Sequence, residues 1–519
     1  MSRFFNAMGP CNPQEHYMLS ALDRCKAIMP LIEQRSYFII HAARQSGKTT
    51  LLKSLAQELN QGDQYQAIYC SLEHLRMVDD PRIGIPSIVY ALYYQLNSYL
   101  NLKLKKSSSL KDEDPLMALM EALRELSQTS PKPLILLFDE VDCLRNDLLL
   151  SFLSQLRNGY VNRSTIPFPH SVALVGMRNI RDYKANVRSE RETLGSSSPF
   201  NIISEALTLK NFTLEEVRAL YQQHTDATKQ VFEAGVVERV HERSCGQPWL
   251  VNAIARETIQ KILEFDHTKP VKLPMVDQAI QNIILRRDTH IDSLLERLKE
   301  PRVRKIIEPV ITGEKRQFDS IDDDFRYVID LGLLVDDEKG LRPSNPIYAE
   351  VIVRALSLLA QERMKDLQVE LPLSRYREEG KINFSRVLAD FQVFWRENGE
   401  MIHEGSSYTE AVPHLVLQAY LQRLVNGGGK INREYAAGRN RLDLLIEIES
   451  ERYPIEVKLD RGPKTYGEAR GQLSKYLDQV GEQEGWVVIF DRKSDKLWNE
   501  KIYWKEETVD GKKLNFVGC

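Results

Sequence analysis

The fold is decided by YFIIHAARQSGKT, residues 37–49 of a chain of 519 residues. The apolar run 37–40 predicts a buried strand, and the polar residues with Gly47 after it predict a tight turn into a helix. At such a turn, backbone N–H groups and the positive end of the helix dipole can cradle phosphate groups. Lys48 would reach the β- and γ-phosphates of a nucleotide, and Thr49 would bind Mg²⁺. The stretch therefore predicts a phosphate-binding loop.

The whole loop contributes to this predicted nucleotide site. Its expected binding residues are Ala42, Ala43, Arg44, Gln45, Ser46, Gly47, Lys48, Thr49 and Thr50. Consensus loops of this kind begin with glycine, whereas this one begins with Ala42, which would matter if that position needed a positive φ. A chance match is the alternative interpretation, and an independent second motif argues against it.

The second motif is an apolar run, residues 134–138, that ends in Asp139 and Glu140. Ligands of open α/β sheets gather at the carboxyl ends of the strands, where these two acids would lie. Asp139 would hold Mg²⁺ together with Thr49, and Glu140 would polarise the water that attacks the γ-phosphate. Taken alone, such acids are often only a solvated strand end. Together with the loop they predict a nucleotide-hydrolysing site.

A third strand supplies a candidate cation. Residues 172–175 are apolar and lead to Arg178, whose guanidinium would lie where charge develops on the γ-phosphate. Arg181 and Arg188 follow on a polar loop. The alternative interpretation is that each of these arginines is an ordinary surface residue. The alternation of short apolar runs with helical patterns over the first 210 residues predicts an α/β fold with a parallel sheet covered by helices.

These motifs, with the sequence Gly-Gln-Pro at 246–248, resemble the STAND branch of AAA+-type P-loop ATPases. The resemblance implies that ATP is bound and hydrolysed with Mg²⁺. It also implies that Gly246 and Pro248 open a lid helix, that Pro248 lies against the adenine, and that Arg178 senses the γ-phosphate. A buried turn proline is the alternative for Pro248.

The opening segment GPCNPQEHYM, residues 9–18, resembles the same segment in a group of bacterial ATPases of this type. In that group it packs beside the nucleotide base, which implies contacts from Asn12, Pro13 and His16. Arginine fingers in this class commonly come from a neighbouring subunit, so a homo-oligomer is compatible with the resemblance.

A second constellation lies in the last 140 or so residues. Glu456 and Lys458 are two apart in an apolar run, so their side chains share one face of a predicted strand. A two-residue turn at Ser450 and Glu451 would place Asp443 directly opposite Lys458 on the preceding strand. Two carboxylates and a lysine can bind Mg²⁺ and act on a phosphodiester.

This segment resembles the PD-(D/E)xK nuclease superfamily. In order, the matching positions are Glu410, Asp443, Glu456, Lys458 and Gln472. The resemblance implies that Glu410, Asp443 and Glu456 hold Mg²⁺ and that Lys458 and Gln472 assist DNA cleavage. Leucine rather than proline precedes Asp443, a common departure in this superfamily. A salt-bridged exposed hairpin is the alternative interpretation.

Together these motifs predict five segments. They are a P-loop ATPase core at 1–210, a helical lid at 211–290, a winged helix at 291–362, a linker that buries little at 363–380, and a smaller α/β PD-(D/E)xK-like domain at 381–519.

Composition narrows the class of protein. The chain has 70 Lys+Arg against 73 Asp+Glu, a net charge of −3, so any DNA-binding surface must be a local patch. Its 6 cysteines include no CxxC pair that would indicate zinc or a disulfide framework. The N-terminus has no signal-peptide pattern, and no apolar run approaches the length of a membrane span. We expect a cytoplasmic protein.

Two functions remain open on this sequence. The first is an ATP-regulated nuclease acting on DNA, with roles in defence or in mobile elements as open options. The second is an ATP-dependent signalling or scaffold switch whose C-terminal domain binds DNA or a protein without cleaving it. The winged helix offers another DNA surface or, alternatively, a structural arm.

Overall fold

The computed structural model describes most of the chain. The described residues are 3–100, 114–177, 199–286, 289–311, 322–338, 340–365, 373–378, 380–404, 412–425, 429–435, 442–460, 462–491 and 496–519. They form two compact units, one of residues 1–286 with 330–332 and the other of residues 287–329 with 333–519.

The first unit is built on a parallel sheet. Its strands are β1 (Tyr37–His41), β2 (Gln66–Ser71), β3 (Leu134–Asp139), β4 (Ser171–Gly176) and β5 (Ile203–Thr208). They pair in the order β2-β3-β4-β1-β5, and every pair is parallel. The helices around it are α1 (Ala21–Arg24), α2 (Ile28–Glu33), α3 (Lys48–Gln61), α4 (Pro81–Leu100), α5 (Pro115–Thr129) and α6 (Asn146–Asn162).

Both faces of this sheet are buried, as the continuous apolar runs predict. Tyr37 and Ile39 of β1 pack into one apolar cluster with α4, α5 and α6, whereas Phe38 and Ile40 pack into another with α2 and α3. Because alternate residues of a strand point to opposite faces, one strand supplies both clusters. The predicted helix-covered parallel sheet is confirmed.

Helices follow the sheet in the same unit. They are α7 (Leu214–Thr228), α8 (Val236–Ser244), α9 (Pro248–Arg256) and α10 (Leu273–Arg286). Thr213 and Glu216 begin α7 with a reciprocal capping box, in which each side chain accepts from the other residue's backbone N–H. Pro248 opens α9, where its missing N–H costs no helical hydrogen bond. These bounds match the helical apolar spacing of the sequence.

The second unit begins with a small helical region. Its elements are α11 (Thr289–Leu298), α12 (Pro301–Ile311), α13 (Asp323–Asp330), β6 (Leu334–Asp337), β7 (Gly340–Pro343) and α14 (Pro346–Lys365). β6 and β7 form an antiparallel hairpin between α13 and α14.

A mixed sheet forms the rest of this unit. The elements are β8 (Arg377–Glu378), β9 (Lys381–Ile382), α15 (Phe384–Glu404), α16 (Val412–Val425), β10 (Gly429–Tyr435), β11 (Leu442–Ile448), β12 (Glu451–Leu459), α17 (Pro463–Val480), β13 (Glu484–Phe490), α18 (Trp498–Lys501), β14 (Trp504–Val509) and β15 (Lys512–Gly518). The sheet order is β10-β11-β12-β13-β15-β14, with β12, β13 and β15 parallel to one another. The apolar runs of the sequence predict β11, β12 and β13 but not β10, β14 or β15.

Helix α17 covers one face of this sheet. Leu473 and Leu477 of the helix lie fully buried in a cluster with Val487, Leu514 and Phe516 of the strands. Glu456 is in register with Val487 across the parallel pair β12 and β13, and Lys458 with Ile489. Residues paired in this way point to the same face, so the acid and the lysine face α17.

The turn between β11 and β12 corrects the predicted register. Ile448 pairs with Glu451, so the turn is formed by Glu449 and Ser450 rather than by Ser450 and Glu451. Glu449 takes the left-handed conformation at φ +57°. Glu451 is already the first residue of β12, and its carboxylate accepts a hydrogen bond from the Ile382 N–H at 3.0 Å. The prediction that Asp443 lies directly opposite Lys458 is therefore wrong.

The segment predicted as a linker also differs in one respect. Tyr376 is fully buried, and its hydroxyl donates to the Asp390 carboxylate at 3.0 Å. The expectation that this segment buries little is wrong at Tyr376, because the ring packs beneath α15 rather than facing water.

Candidate functional sites

The phosphate loop runs from the end of β1 to the first turn of α3. Gln45 and Gly47 both have a positive φ, +56° and +92°, and Gly47 is the residue before the helix. Ala42 is buried at the start of the loop and does not appear among the residues with positive φ. The missing first glycine is therefore no obstacle to this loop conformation, because the left-handed positions fall later.

Lys48 is buried at the base of the loop. Its Nζ donates to the backbone carbonyls of Ala42 at 2.7 Å and Ala43 at 2.8 Å. Burial lowers the pKa of the Lys48 ammonium, and the carboxylates of Asp142 and Glu140 act in the opposite direction. The loop thus holds a lysine within reach of the helix N-terminus where phosphates would bind.

Asp139 ends β3 beside the first turn of α3. One carboxylate oxygen accepts hydrogen bonds from the Thr49 hydroxyl at 2.7 Å and the Tyr69 hydroxyl at 3.0 Å, and the other accepts the Glu140 N–H at 3.0 Å. The Thr49 hydroxyl and the Asp139 carboxylate are adjacent hard oxygen donors, the type that Mg²⁺ prefers. With phosphate oxygens and water they would complete its coordination. The donor set therefore fits Mg²⁺.

Glu140 lies just past the strand in a left-handed conformation, at φ +56°. Its side chain is 34% exposed, and a carboxylate oxygen lies 3.7 Å from Nη2 of Arg76. Partial burial raises the pKa of the Glu140 carboxyl, and the neighbouring Asp139 charge raises it further. A carboxylate with a raised pKa at the strand end is suited to accept a proton.

Gln247, the residue before α9, contacts this loop directly. The side-chain amide of Gln247 donates to the Gln45 carbonyl at 3.3 Å, and its oxygen accepts from the Leu250 N–H at the start of α9. Gly246 has φ +69°, and a Cβ there would meet the Phe212 carbonyl oxygen at 1.9 Å. Glycine is required at 246 by this close approach as well as by its φ. Pro248 is buried at the first position of α9.

The opening segment folds back on itself beside the loop. Phe4 and His16 form a parallel bridge, and the Asn12 N–H donates to Nδ1 of His16 at 2.8 Å. The side chains of Asn12 and Pro13 are exposed. The segment reaches the loop through another residue, because the Cys11 N–H donates to the Thr50 hydroxyl at 3.0 Å.

The same segment is tied to the lid by Trp249. Its indole N–H donates to the Ala7 carbonyl at 2.8 Å. Sequence reasoning missed Cys11, Tyr69, Gln247 and Trp249. Only Gln247 carried a signal, because it stands inside the Gly-x-Pro motif, whereas the other contacts depend on tertiary packing.

Some predicted residues lie outside the described part of the chain. These are Arg178, Arg181 and Arg188 after β4, and Glu410 before α16. Their predicted roles stay predictions.

The second candidate site lies between the C-terminal sheet and α17. Glu456 is 1% exposed, and its carboxylate forms an ion pair with Nζ of Lys458. Apart from that ion pair, the buried Glu456 oxygens accept no hydrogen bond from the described residues, and the same holds for the side-chain oxygen of Gln472 on α17. Within the described part of the chain, no group of three or more His, Cys, Asp or Glu side chains could hold a metal ion. Of Asp443, the backbone in β11 is described.

A P-loop ATPase is defined by a phosphate loop between a strand and a helix, together with a strand of the same parallel sheet that ends in an acid. This chain has each of these features. Within that class, a family model described as "AAA-like domain" matches residues 25–352. The match covers more than half of the chain, so the protein belongs to the AAA-like domain family. A second model, described as "Domain of unknown function (DUF8371)", matches residues 389–494.

Several solved structures resemble part of this chain at low sequence identity. The Walker-type ATPase PABY2304 of Pyrococcus abyssi is 12% identical with a TM-score of 0.49, and the alignment covers 67% of this chain and 99% of that one. The RuvB Holliday junction branch migration motor of Thermotoga maritima is 13% identical with a TM-score of 0.34, and the alignment covers 71% of this chain and 100% of that one. The Aeropyrum pernix ORC1 protein in complex with DNA is 12% identical with a TM-score of 0.35, and the alignment covers 65% of this chain and 93% of that one.

No curated protein is significantly similar in sequence to this chain. Among the described residues, no helix is both long and apolar enough to cross a membrane.

Proposed function

We propose that this protein is an ATP-hydrolysing switch of the STAND type that controls a Mg²⁺-dependent PD-(D/E)xK nuclease in its C-terminal region, with DNA as the substrate. The ATPase part of the proposal is supported by the Thr49–Asp139 pair at the phosphate loop. The nuclease part depends on one observation, the buried pair of Glu456 and Lys458 beneath α17.

In the ATPase site, we assign each side chain a step. Lys48 would bind the β- and γ-phosphates, and Thr49 with Asp139 would hold Mg²⁺. Glu140 would take the proton of the attacking water, which its raised pKa favours. Arg178 would sense the γ-phosphate.

In the C-terminal site, the strand register supports the proposal of a metal pair. Leu444 pairs with Ile455, and Asp443 would lie opposite Glu456 where this register continues by one position. Asp443 and Glu456, with Glu410, would bind Mg²⁺, which supplies a polarised phosphodiester and a water of lowered pKa. Lys458 would stabilise the charge that develops on the phosphate, and Gln472 would orient the substrate or water from α17.

The elements α11–β7–α14 are proposed as a winged helix. We favour a structural arm over a DNA surface, because two of its described basic residues are engaged internally. Arg302 pairs with Glu300 at 3.0 Å and lies 3.5 Å above the Tyr327 ring, and Lys305 lies 4.0 Å from Asp324. A homo-oligomer would supply arginine fingers to the ATPase site.

The same ion pair also fits a second function, in which it has only a structural role. Removing a buried acid or its lysine leaves an uncompensated charge, so a purely structural pair would also be intolerant of substitution. In that case the chain is a signalling or scaffold switch whose C-terminal region binds DNA or a protein.

The experiment that separates the two is a nuclease assay on the full chain. Single- and double-stranded DNA and RNA would be incubated with Mg²⁺ or EDTA, each with ATP, ADP or no nucleotide, using wild type, Glu456→Gln and Lys48→Ala. Mg²⁺-dependent cleavage of DNA that Glu456→Gln loses and Lys48→Ala alters supports the regulated nuclease. DNA binding without cleavage by the wild type supports the switch.

A further inference from the structure

Asp142 lies in the turn that directly follows Glu140. Residues Val141–Cys143 form a short 3-10 helix after β3, and the Cys143 N–H donates to the Glu140 carbonyl at 2.9 Å. From this turn, the Asp142 carboxylate reaches the end of the neighbouring strand β4 and accepts the Met177 N–H at 2.5 Å. The turn that carries Glu140 is thereby tied to a second strand.

The residue facing Asp142 on β4 is a glycine for a steric reason. A Cβ on Gly176 would lie 2.2 Å from one carboxylate oxygen of Asp142 and 2.8 Å from its Cγ. The Gly176 carbonyl also accepts the Ala42 N–H at 3.3 Å, at the first residue of the phosphate loop. The carboxylate thus occupies space that any other residue at 176 would fill, at a position adjacent to the loop.

Glu140 needs such a support. A non-glycine residue with φ near +56° is in a sparsely populated conformation, which persists only where the surroundings hold it. The carboxyl group must also be placed within hydrogen-bond reach of the attacking water for proton transfer to be efficient. The bond from the Asp142 carboxylate to the Met177 N–H ties this turn to the end of β4.

We propose that Asp142 is a positioning residue for ATP hydrolysis, which anchors the Glu140 turn to β4 through the Met177 N–H and requires glycine at 176. The proposal rests on the proposed ATPase function. It predicts a larger effect on kcat than on nucleotide affinity, because the bond to the Met177 N–H holds the Glu140 turn, whereas the Asp142 charge is only one of three nearby carboxylates that favour the Lys48 ammonium.

The test is a double-mutant cycle on the full chain, with Asp142→Ala, Gly176→Ala and the combined variant. Each single change is expected to lower kcat for ATP at least tenfold while the Kd of a fluorescent ATP analogue stays within threefold. The combined variant is expected to lie within twofold of Asp142→Ala, because loss of the carboxylate vacates the space that the new methyl group needs. Asp142→Asn retains an acceptor for the Met177 N–H and is expected to recover most of kcat. Asp63→Ala, at an exposed acid, is the control.

Three results would overturn the proposal. They are an unchanged kcat in Asp142→Ala, multiplied effects in the combined variant, and an Asp142→Asn variant as impaired as Asp142→Ala, which would point to the charge rather than the hydrogen bond. A wild type that binds the analogue but does not hydrolyse ATP would remove the proposed ATPase function itself. That outcome differs from a hydrolysing wild type with a neutral Asp142→Ala, which removes this inference alone.

Discussion

The two polar sites of this chain are held in different ways. At the phosphate loop, Lys48 is bonded to backbone carbonyls of its own loop, and Asp139 to the hydroxyls of Thr49 and Tyr69. At the C-terminal site, the carboxylate of Glu456 forms an ion pair with Lys458 of the same strand. The bonds of Lys48 are fixed by the loop motif itself, and Asp139 meets Thr49 at the shared edge of a parallel sheet, whereas the residue of β11 that faces Glu456 or Lys458 depends on strand register.

The free energy of burial also bears on the comparison between the two sites. A buried ion pair gains little over apolar side chains of the same volume, because both charges lose their hydration. The buried pair of Glu456 and Lys458 therefore favours a use beyond stability, and this contrast between the two sites can be tested by substitution.

The largest effect is expected at the phosphate loop. Lys48→Ala removes the buried ammonium that would bind the β- and γ-phosphates, so ATP affinity should fall about 100-fold or more and hydrolysis should be lost. Isothermal titration with ATP and a phosphate-release assay would measure both. The control is Lys26→Ala, at an exposed lysine before α2. Wild-type affinity in Lys48→Ala would show that the loop does not bind nucleotide through this residue.

The C-terminal site offers a test that separates chemistry from stability. If the proposed nuclease is correct, Glu456→Gln should lose Mg²⁺-dependent DNA cleavage about 100-fold and keep the ATPase rate within twofold, since it would remove a proposed metal ligand from a separate compact unit. The double variant Glu456→Leu/Lys458→Met should keep the melting temperature close to that of the wild type but stay inactive as a nuclease.

Glu506→Gln on the edge strand β14 is the matched control for that pair. Cleavage that survives in the double variant would assign the buried pair to the fold alone. Loss of ATPase rate in Glu456→Gln would mean that the substitution acts on more than its own site.

The contrast also explains what the sequence could predict. The run 134–138 and the loop before Lys48 fix a strand end and a helix start, so the Thr49–Asp139 contact could be anticipated from spacing alone. The expected opposition of Asp443 and Lys458 failed because it depended on which two residues formed a turn. Glu449, rather than Glu451, takes the left-handed position there.

Other contacts had no local signal. Edge strand β14 and the first sheet strand β10 carry charged residues between apolar ones, which a surface helix or loop can also have. Tyr69 lies 70 positions from the carboxylate that it binds, and Trp249 lies 242 positions from Ala7. Such pairs follow from sheet order and helix packing, which single-sequence periodicity does not report.

A smaller effect is expected where the opening segment meets α7. His224 is buried, accepts from the Tyr17 hydroxyl at 3.3 Å and donates to the Gln230 side chain at 2.8 Å. Burial lowers the pKa of His224, so the folded state takes up its proton later than the unfolded state. Its stability contribution is complete above pH 6.5 and is lost as the pH falls through the lowered folded value.

His224→Gln should therefore reduce the drop in melting temperature between about pH 7 and pH 5, by on the order of 2 °C. Differential scanning fluorimetry across that range would measure it, with the exposed His74→Gln as control. An equally steep drop in His224→Gln would assign the acid sensitivity to other groups, and would leave the opening segment without a pH-dependent anchor.

The smallest expected effect concerns Arg76, whose guanidinium lies 3.7 Å from the Glu140 carboxylate. If Glu140 is the base, hydrolysis is present above its folded pKa and lost as the pH falls through it. Burial raises that pKa, and the Arg76 charge partly opposes the rise. Arg76→Ala should move the acid limb of kcat only slightly to higher pH, because the pair is half-exposed and screened. A pH–rate profile measures the shift, with the exposed Arg82→Ala as control. A limb that moves to lower pH would show that a group other than Glu140 sets it.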